Sequence, residues 1–311
     1  MSFITNIRSV AKYESKILVR SWFFRIFTLL AVVFLGFFNF AMMLMEDNFG
    51  LWFAKSVSSN IPYLNLLLLN TGQAVVAVFL SSEFLKRDKK LDTFEVFYVR
   101  PLSNAEYVVG KIWGNLRVFL FLNLLVLAIV LAFNFMASGV TVDLPAYLVY
   151  FFLISIPTLI FIIGLSIFLM LLLKNQALTF ILLLGYIGLT LFYIQDKFYY
   201  LFDYMVYNLP LFKSTIVGFS NLELILNHRA IYFFAGLGFI FFTIFLFKRL
   251  PNARRSHYPW LFLSFCMFLL MVTAGFRHVR SILWEGEMRA LYTSINNKYV
   301  CICLLYTSPS P

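Results

Sequence analysis

The residues whose types and spacing suit them to a specific task lie between Glu83 and Gly114, EFLKRDKKLDTFEVFYVRPLSNAEYVVGKIWG, a polar interruption between two long apolar runs. Lys86, Arg87, Lys89, Lys90, Arg100 and Lys111 alternate there with Glu83, Asp88, Asp92, Glu95 and Glu106. A run of that composition cannot lie in hydrocarbon, and its Lys/Arg load assigns it to the cytoplasmic side of a membrane. Within it Leu91, Phe94, Val96, Phe97 and Val99 form a short amphipathic piece. The piece stops at Arg100-Pro101, because the residue before proline is pushed out of helical geometry. The loop thus offers water a small helix with an apolar face, which is chemistry for docking another protein.

No constellation points to catalysis. The chain has no Gly-rich phosphate loop ending in Lys-Ser/Thr, no HExxH, no Gly-x-Ser-x-Gly and no carboxylate pair inside an apolar run. His228, His257 and His278 fall at the ends of apolar runs, where interfacial anchoring or solvation is expected and metal ligation is not. Cys266, Cys301 and Cys303 form neither a CxxC metal pattern nor a disulfide framework. The expectation is a chain with no catalytic, metal or cofactor-binding residue, unable to hydrolyse ATP by itself.

The elements that must carry the loop are membrane spans. Of 311 residues, 62% are hydrophobic and 13% charged, a composition that excludes an ordinary soluble domain and predicts an all-α integral membrane protein. The net charge of +11 resides in loops between apolar runs, so it reads as an orientation signal and not as a nucleic-acid footprint. The abundant Phe and Tyr fit packing and interfacial belts. Residues 1–20 set Arg8, Lys12, Lys16 and Arg20 against Phe3, Ile4, Ile7, Val10, Ala11, Ile17 and Leu18 at helical spacing, which predicts an amphipathic helix on the membrane surface. The apolar run that follows is too long for a signal-peptide core and lacks a small-residue cleavage site.

Seven spans are expected, at about 22–45, 63–80, 112–136, 147–173, 178–194, 231–247 and 260–276. Arg25 and Arg117 lie within the first and third. Asn65, Asn70 and Gln73 in the second should face other helices or a wet cavity, since amides in hydrocarbon seek partners. Pro157 and Gly164 are possible kink points in the fourth. Lys174-Asn175-Gln176 makes a tight turn between the fourth and fifth. The segment from Gln195 to Arg229 is rich in aromatics (Phe198, Tyr199, Tyr200, Phe202, Tyr204, Tyr207) and broken by Pro210, a composition suited to an interfacial or re-entrant piece. With the N-terminus inside, fifteen Lys/Arg fall on the cytoplasmic side and eight outside, Arg229 being counted outside.

Here the residues reach a resemblance. Residues 1–250 resemble the membrane subunit of type-2 ABC transporters, the exporter-type permeases, through IRSVAKYESKILVRSWFF and above all through Glu83 followed by KKLDTFEVFYVRPLSNAEYVVGKIWGNL. In that family such a loop is the coupling helix that inserts into a cleft of the ATPase subunit. The resemblance implies a docking surface of Glu83, Leu91, Phe94, Glu95, Phe97, Arg100 and Pro101, and short re-entrant helices before Ile231. It implies a six-span permease bundle, a separate ABC ATPase subunit that binds the ATP, a second permease copy or homologous half, and a multi-pass location in a bacterial inner membrane with the N-terminus in the cytoplasm. It implies no activity as an enzyme and no nucleic-acid partner.

Residues 251–276, a basic loop and a seventh span, exceed what a six-span permease needs. Residues 277–302 read as the start of a polar, helical region. Some large bacterial proteins similar to this one continue past the permease into an appended aminopeptidase-like domain, so a membrane anchor of a larger enzyme is an alternative, as is an assembly factor without transport. The final CLLYTSPSP, residues 303–311, looks like the in-frame translation of a transposase adapter used in building sequencing libraries, which predicts a longer natural protein.

Overall fold

The computed structural model describes residues 3–44, 59–82, 102–136, 142–194, 197–207, 211, 213–214, 218–219, 222–247 and 258–307, with side chains in the last stretch described to residue 284. The described residues form helices α1 (Phe3–Arg20), α2 (Trp22–Leu44), α3 (Asn60–Ser82), α4 (Asn104–Met136), α5 (Leu144–Tyr150), α6 (Ile156–Leu173), α7 (Gln176–Leu189), α8 (Leu222–Leu246) and α9 (Tyr258–Thr307). A π-helical turn, Phe151–Ser155, joins α5 to α6, and a second one, Thr190–Ile194, extends α7. The remaining regular structure among the described residues is a three-residue 3₁₀ turn, Phe198–Tyr200, and one antiparallel pair of two-residue strands, β1 (Lys213–Ser214) and β2 (Gly218–Phe219).

Seven of these segments are long and apolar enough to cross a membrane. The chain is therefore an all-α, multi-pass membrane protein, as its composition predicts. α3 is the central helix, sheltered by α2, α4, α6 and α7, while α2, α7 and α9 turn most of their apolar surface outward.

The hairpin between the fourth and fifth spans forms as its sequence requires. Lys174 takes a left-handed conformation at φ 54° and closes α6, and the Asn175 side chain accepts the Ala177 N–H to start α7.

The predicted kink of the fourth span divides into two effects. The π-helical turn ends just before Pro157, whose ring nitrogen cannot donate to the carbonyl of Leu153 four residues back. Gly164 lies within the continuous helix α6. It lies at the crossing of α6 with α8, where a Cβ would come 2.7 Å from the Gly236 carbonyl oxygen, and a Cβ on Gly236 would come equally close to the Ile160 backbone.

Three boundaries differ from the sequence reading. The third span begins at Asn104 and not near Ile112, because Ser103 and Glu106 cap it and α1 covers the polar residues of its first turns. The sixth begins at Leu222, so Arg229 is a helical residue and not part of an external segment. The seventh continues without a break to Thr307, a helix of 50 residues and about 75 Å.

Candidate functional site

The seven residues implied as the docking surface, Glu83, Leu91, Phe94, Glu95, Phe97, Arg100 and Pro101, lie outside the described residues. What the structure describes is the frame on which their loop is hung. At its exit, Ser103 and Glu106 form a capping box: the Ser103 amide donates to Glu106 Oε2 at 2.6 Å, and the Glu106 amide donates to Ser103 Oγ at 3.1 Å. Asn6 of α1 donates to the other carboxylate oxygen at 2.9 Å, tying the cap to the N-terminal helix. Asn104 donates to the Phe247 carbonyl at 2.8 Å, and the Tyr107 and Phe247 rings stack, so the C-terminal end of α8 is fixed to the same point.

α1 lies along the first half of α4 at backbone contact. Gly110 and Gly114 allow this, since a Cβ would meet Val10 Cβ at 2.7 Å and the Ala11 carbonyl oxygen at 2.8 Å respectively. The polar residues so covered are partnered. Lys111 and Glu14, each almost fully buried, pair at 3.8 Å. The Arg117 guanidinium donates to Ser15 Oγ at 2.7 and 3.0 Å and to the Ala11 carbonyl at 3.2 Å. The Ser15 hydroxyl has the carbonyls of Ala11 and Gly114 within 2.8 Å. α1 leaves Arg8, Lys12, Lys16 and Arg20 exposed, one per turn along a single stripe.

In the middle of the bundle the amides pack helix on helix, as expected. Asn65 and Asn39 exchange reciprocal hydrogen bonds of 2.7 and 3.1 Å between α3 and α2. Asn123 of α4 donates to Gln73 Oε1 at 2.8 Å and accepts from Asn70 at 3.2 Å and from the Ser155 hydroxyl at 2.8 Å. All four of these residues are buried to 1% exposure or less.

At the opposite end of α8 from the docking frame stands a centre that sequence reasoning missed. Arg229 is fully buried, and its guanidinium donates to the carbonyls of Leu153 (2.6 Å), Ile154 (3.1 Å) and Tyr204 (2.8 Å) and to Thr158 Oγ1 (2.7 Å). It takes the Leu153 carbonyl, to which Pro157, four residues on, cannot donate. The buried Asp203 lies within its electrostatic reach. The signal in the sequence was available: a proline inside a span frees a carbonyl, and an arginine at the margin of another span can supply the donor.

The aromatic segment packs into the bundle here, and its described residues include a three-residue 3₁₀ turn, Phe198–Tyr200, where the resemblance implies short re-entrant helices. Phe198, Tyr199 and Tyr200 are all left-handed, at φ 52°, 57° and 59°. That conformation costs about 1–2 kcal/mol per residue for side chains with a Cβ. Three consecutive carbonyls hold it: Tyr199 accepts from His278 Nε2 (3.0 Å), Tyr200 from His228 Nε2 (3.1 Å) and Leu201 from the Tyr232 hydroxyl (2.6 Å). A carbonyl only accepts, so Nε2 carries the proton in both imidazoles. The reading of His228 and His278 as interfacial or solvated is corrected: both are fully buried latches, while His257 lies outside the described residues. Deeper in, Tyr63 donates to the Val206 carbonyl at 3.0 Å and Tyr150 to that of Leu211 at 2.7 Å. Tyr204 packs among Phe161, Tyr186 and Tyr232, and burial pushes its phenol above the ordinary range.

No group of three or more His, Cys, Asp or Glu arranged for a metal occurs among the described residues. No protein-family model matches the sequence, and no curated protein is significantly similar to it.

Proposed function

We propose that this chain is the membrane permease subunit of an ATP-driven exporter of the type-2 ABC class, coupled to a separate ATPase subunit through the loop 83–111. The observation that carries this reading is the frame at the exit of the loop. The capping box, the α1 clamp and the Asn104–Phe247 bond join α1, α4 and α8 at one point, so displacement of a docked loop would move three helices together. A solvated connector needs no such joint. The outward apolar surfaces of α2 and α7 suit a second permease copy, against which these spans would rock when ATP closes the partner subunits. In this reading the protein resides in a bacterial inner membrane with α1 on the cytoplasmic face.

The test is a pull-down of the tagged chain from its host membrane with Phe97→Asp alongside. Recovery of a subunit with a Gly-rich phosphate loop, lost in Phe97→Asp while membrane insertion is kept, is the expected result. Capture of no ATPase by well-folded protein would sink the assignment.

A second reading, compatible with the first, is that the spans anchor a larger enzyme. It is favoured by α9, which runs on as a continuous helix well past the apolar stretch ending at Trp284.

A further inference from the structure

A groove of about 800 Å³ opens sideways between α2 and α4, in the size range of small-molecule sites. Its wall is almost wholly apolar. It exists because Ala128 and Ala132, one turn apart on α4, face Thr28 and Val32 of α2 where larger side chains would meet. From Arg25 at its mouth to Val32 it runs about 10 Å along α2.

Arg25 is held at that mouth by one bond, from Nε to the Val19 carbonyl at 3.1 Å. Among the described residues no carboxylate pairs with it and no partner meets its other guanidinium donors. The Thr28 hydroxyl inside the groove is also buried and unpartnered. The approach is positive throughout, since Lys12, Lys16 and Arg20 stand exposed on α1, whose one described carboxylate, Glu14, is buried on Lys111.

An apolar slot with unfilled cationic donors at one end, flanked by a basic surface helix, matches one class of ligand. We infer that the groove holds an acyl chain of an anionic glycerophospholipid whose phosphate lies on the Arg25 guanidinium. The fork of Arg25 suits a phosphate, and the basic stripe raises the local concentration of anionic lipid. A neutral lipid would fill the slot but leave the charge unanswered. This inference does not depend on a transport role.

The experiment is native mass spectrometry of the full chain released from mixed micelles containing dioleoyl phosphatidylglycerol or dioleoyl phosphatidylcholine. One tightly retained phosphatidylglycerol is expected, preferred about fivefold or more over phosphatidylcholine, which is the ratio one favourable charge contact of ~1 kcal/mol gives. Arg25→Gln should erase the preference, and Ala128→Phe should reduce retention of both lipids; both positions are exposed, so neither change disturbs the core. Lys12→Gln, on the stripe but away from the mouth, should leave the retained lipid in place. Equal retention of the two lipids, an unchanged preference in Arg25→Gln, or the same loss in Lys12→Gln would overturn the site. So would Ala128→Phe abolishing a dimer while lipid retention stays constant, which would make the groove a contact with a second copy.

Discussion

Arg117 and Arg229 are both arginines inside spans that donate to backbone carbonyls, yet they act on the fold in different ways. Arg117 is half-buried and reaches across to α1, where the Ala11 carbonyl already belongs to an intact helix. It adds hydrogen bonds between two elements that would exist without it. Arg229 is fully buried and reaches a helix interrupted by a π-helical turn before Pro157, so it donates where the proline ring nitrogen cannot. The first strengthens a docked element; the second completes the main chain. A buried cation in a membrane protein is a candidate for function by default, and here the larger share of its bonding capacity is committed to structure.

The largest expected effect tests that contrast directly. Arg229→Leu should destabilise the detergent-solubilised protein by about 3 kcal/mol or more, since it orphans buried carbonyls of the π-helical turn and of Tyr204. Adding Pro157→Ala should recover about 1 kcal/mol by returning an N–H to Leu153. Thermal unfolding of the single and double variants measures both, and a silent Arg229→Leu would break the comparison.

A smaller effect is expected at the amide cluster. Asn123→Leu alone should cost about 1–2 kcal/mol because Gln73, Asn70 and Ser155 each lose a partner, whereas Asn70→Leu with Asn123→Leu should cost less than the sum of the singles. A double-mutant cycle on the unfolding midpoint sharpens how far buried polarity at the centre resembles Arg229. Smallest is Arg117→Ala, at about 1 kcal/mol or less in global stability, read as increased proteolysis of α1 ahead of any change in the spans. If its cost equals that of Arg229→Leu, α1 is as integral as the π-helical turn.

What the sequence made legible follows the same division. Spans, the amphipathic α1, the Lys174–Asn175 turn and the inward amides were readable because each is set by local composition or spacing. The start of α4 was missed because Glu106, Lys111 and Asn115 look like loop residues until α1 covers them. Arg229, His228 and His278 were misplaced because their partners are backbone carbonyls on distant segments, and a carbonyl carries no side-chain identity. The docking residues of the loop 83–101 rest on resemblance and spacing.

The left-handed aromatic turn at Phe198–Tyr200 sets an order of events in biogenesis. Two of its clasps, His228 and Tyr232, arrive with α8, but the third, His278, sits on α9, which leaves the ribosome after α8. The strained turn waits for α9, so the seventh of the described spans secures this end of the bundle only after the six before it have been made.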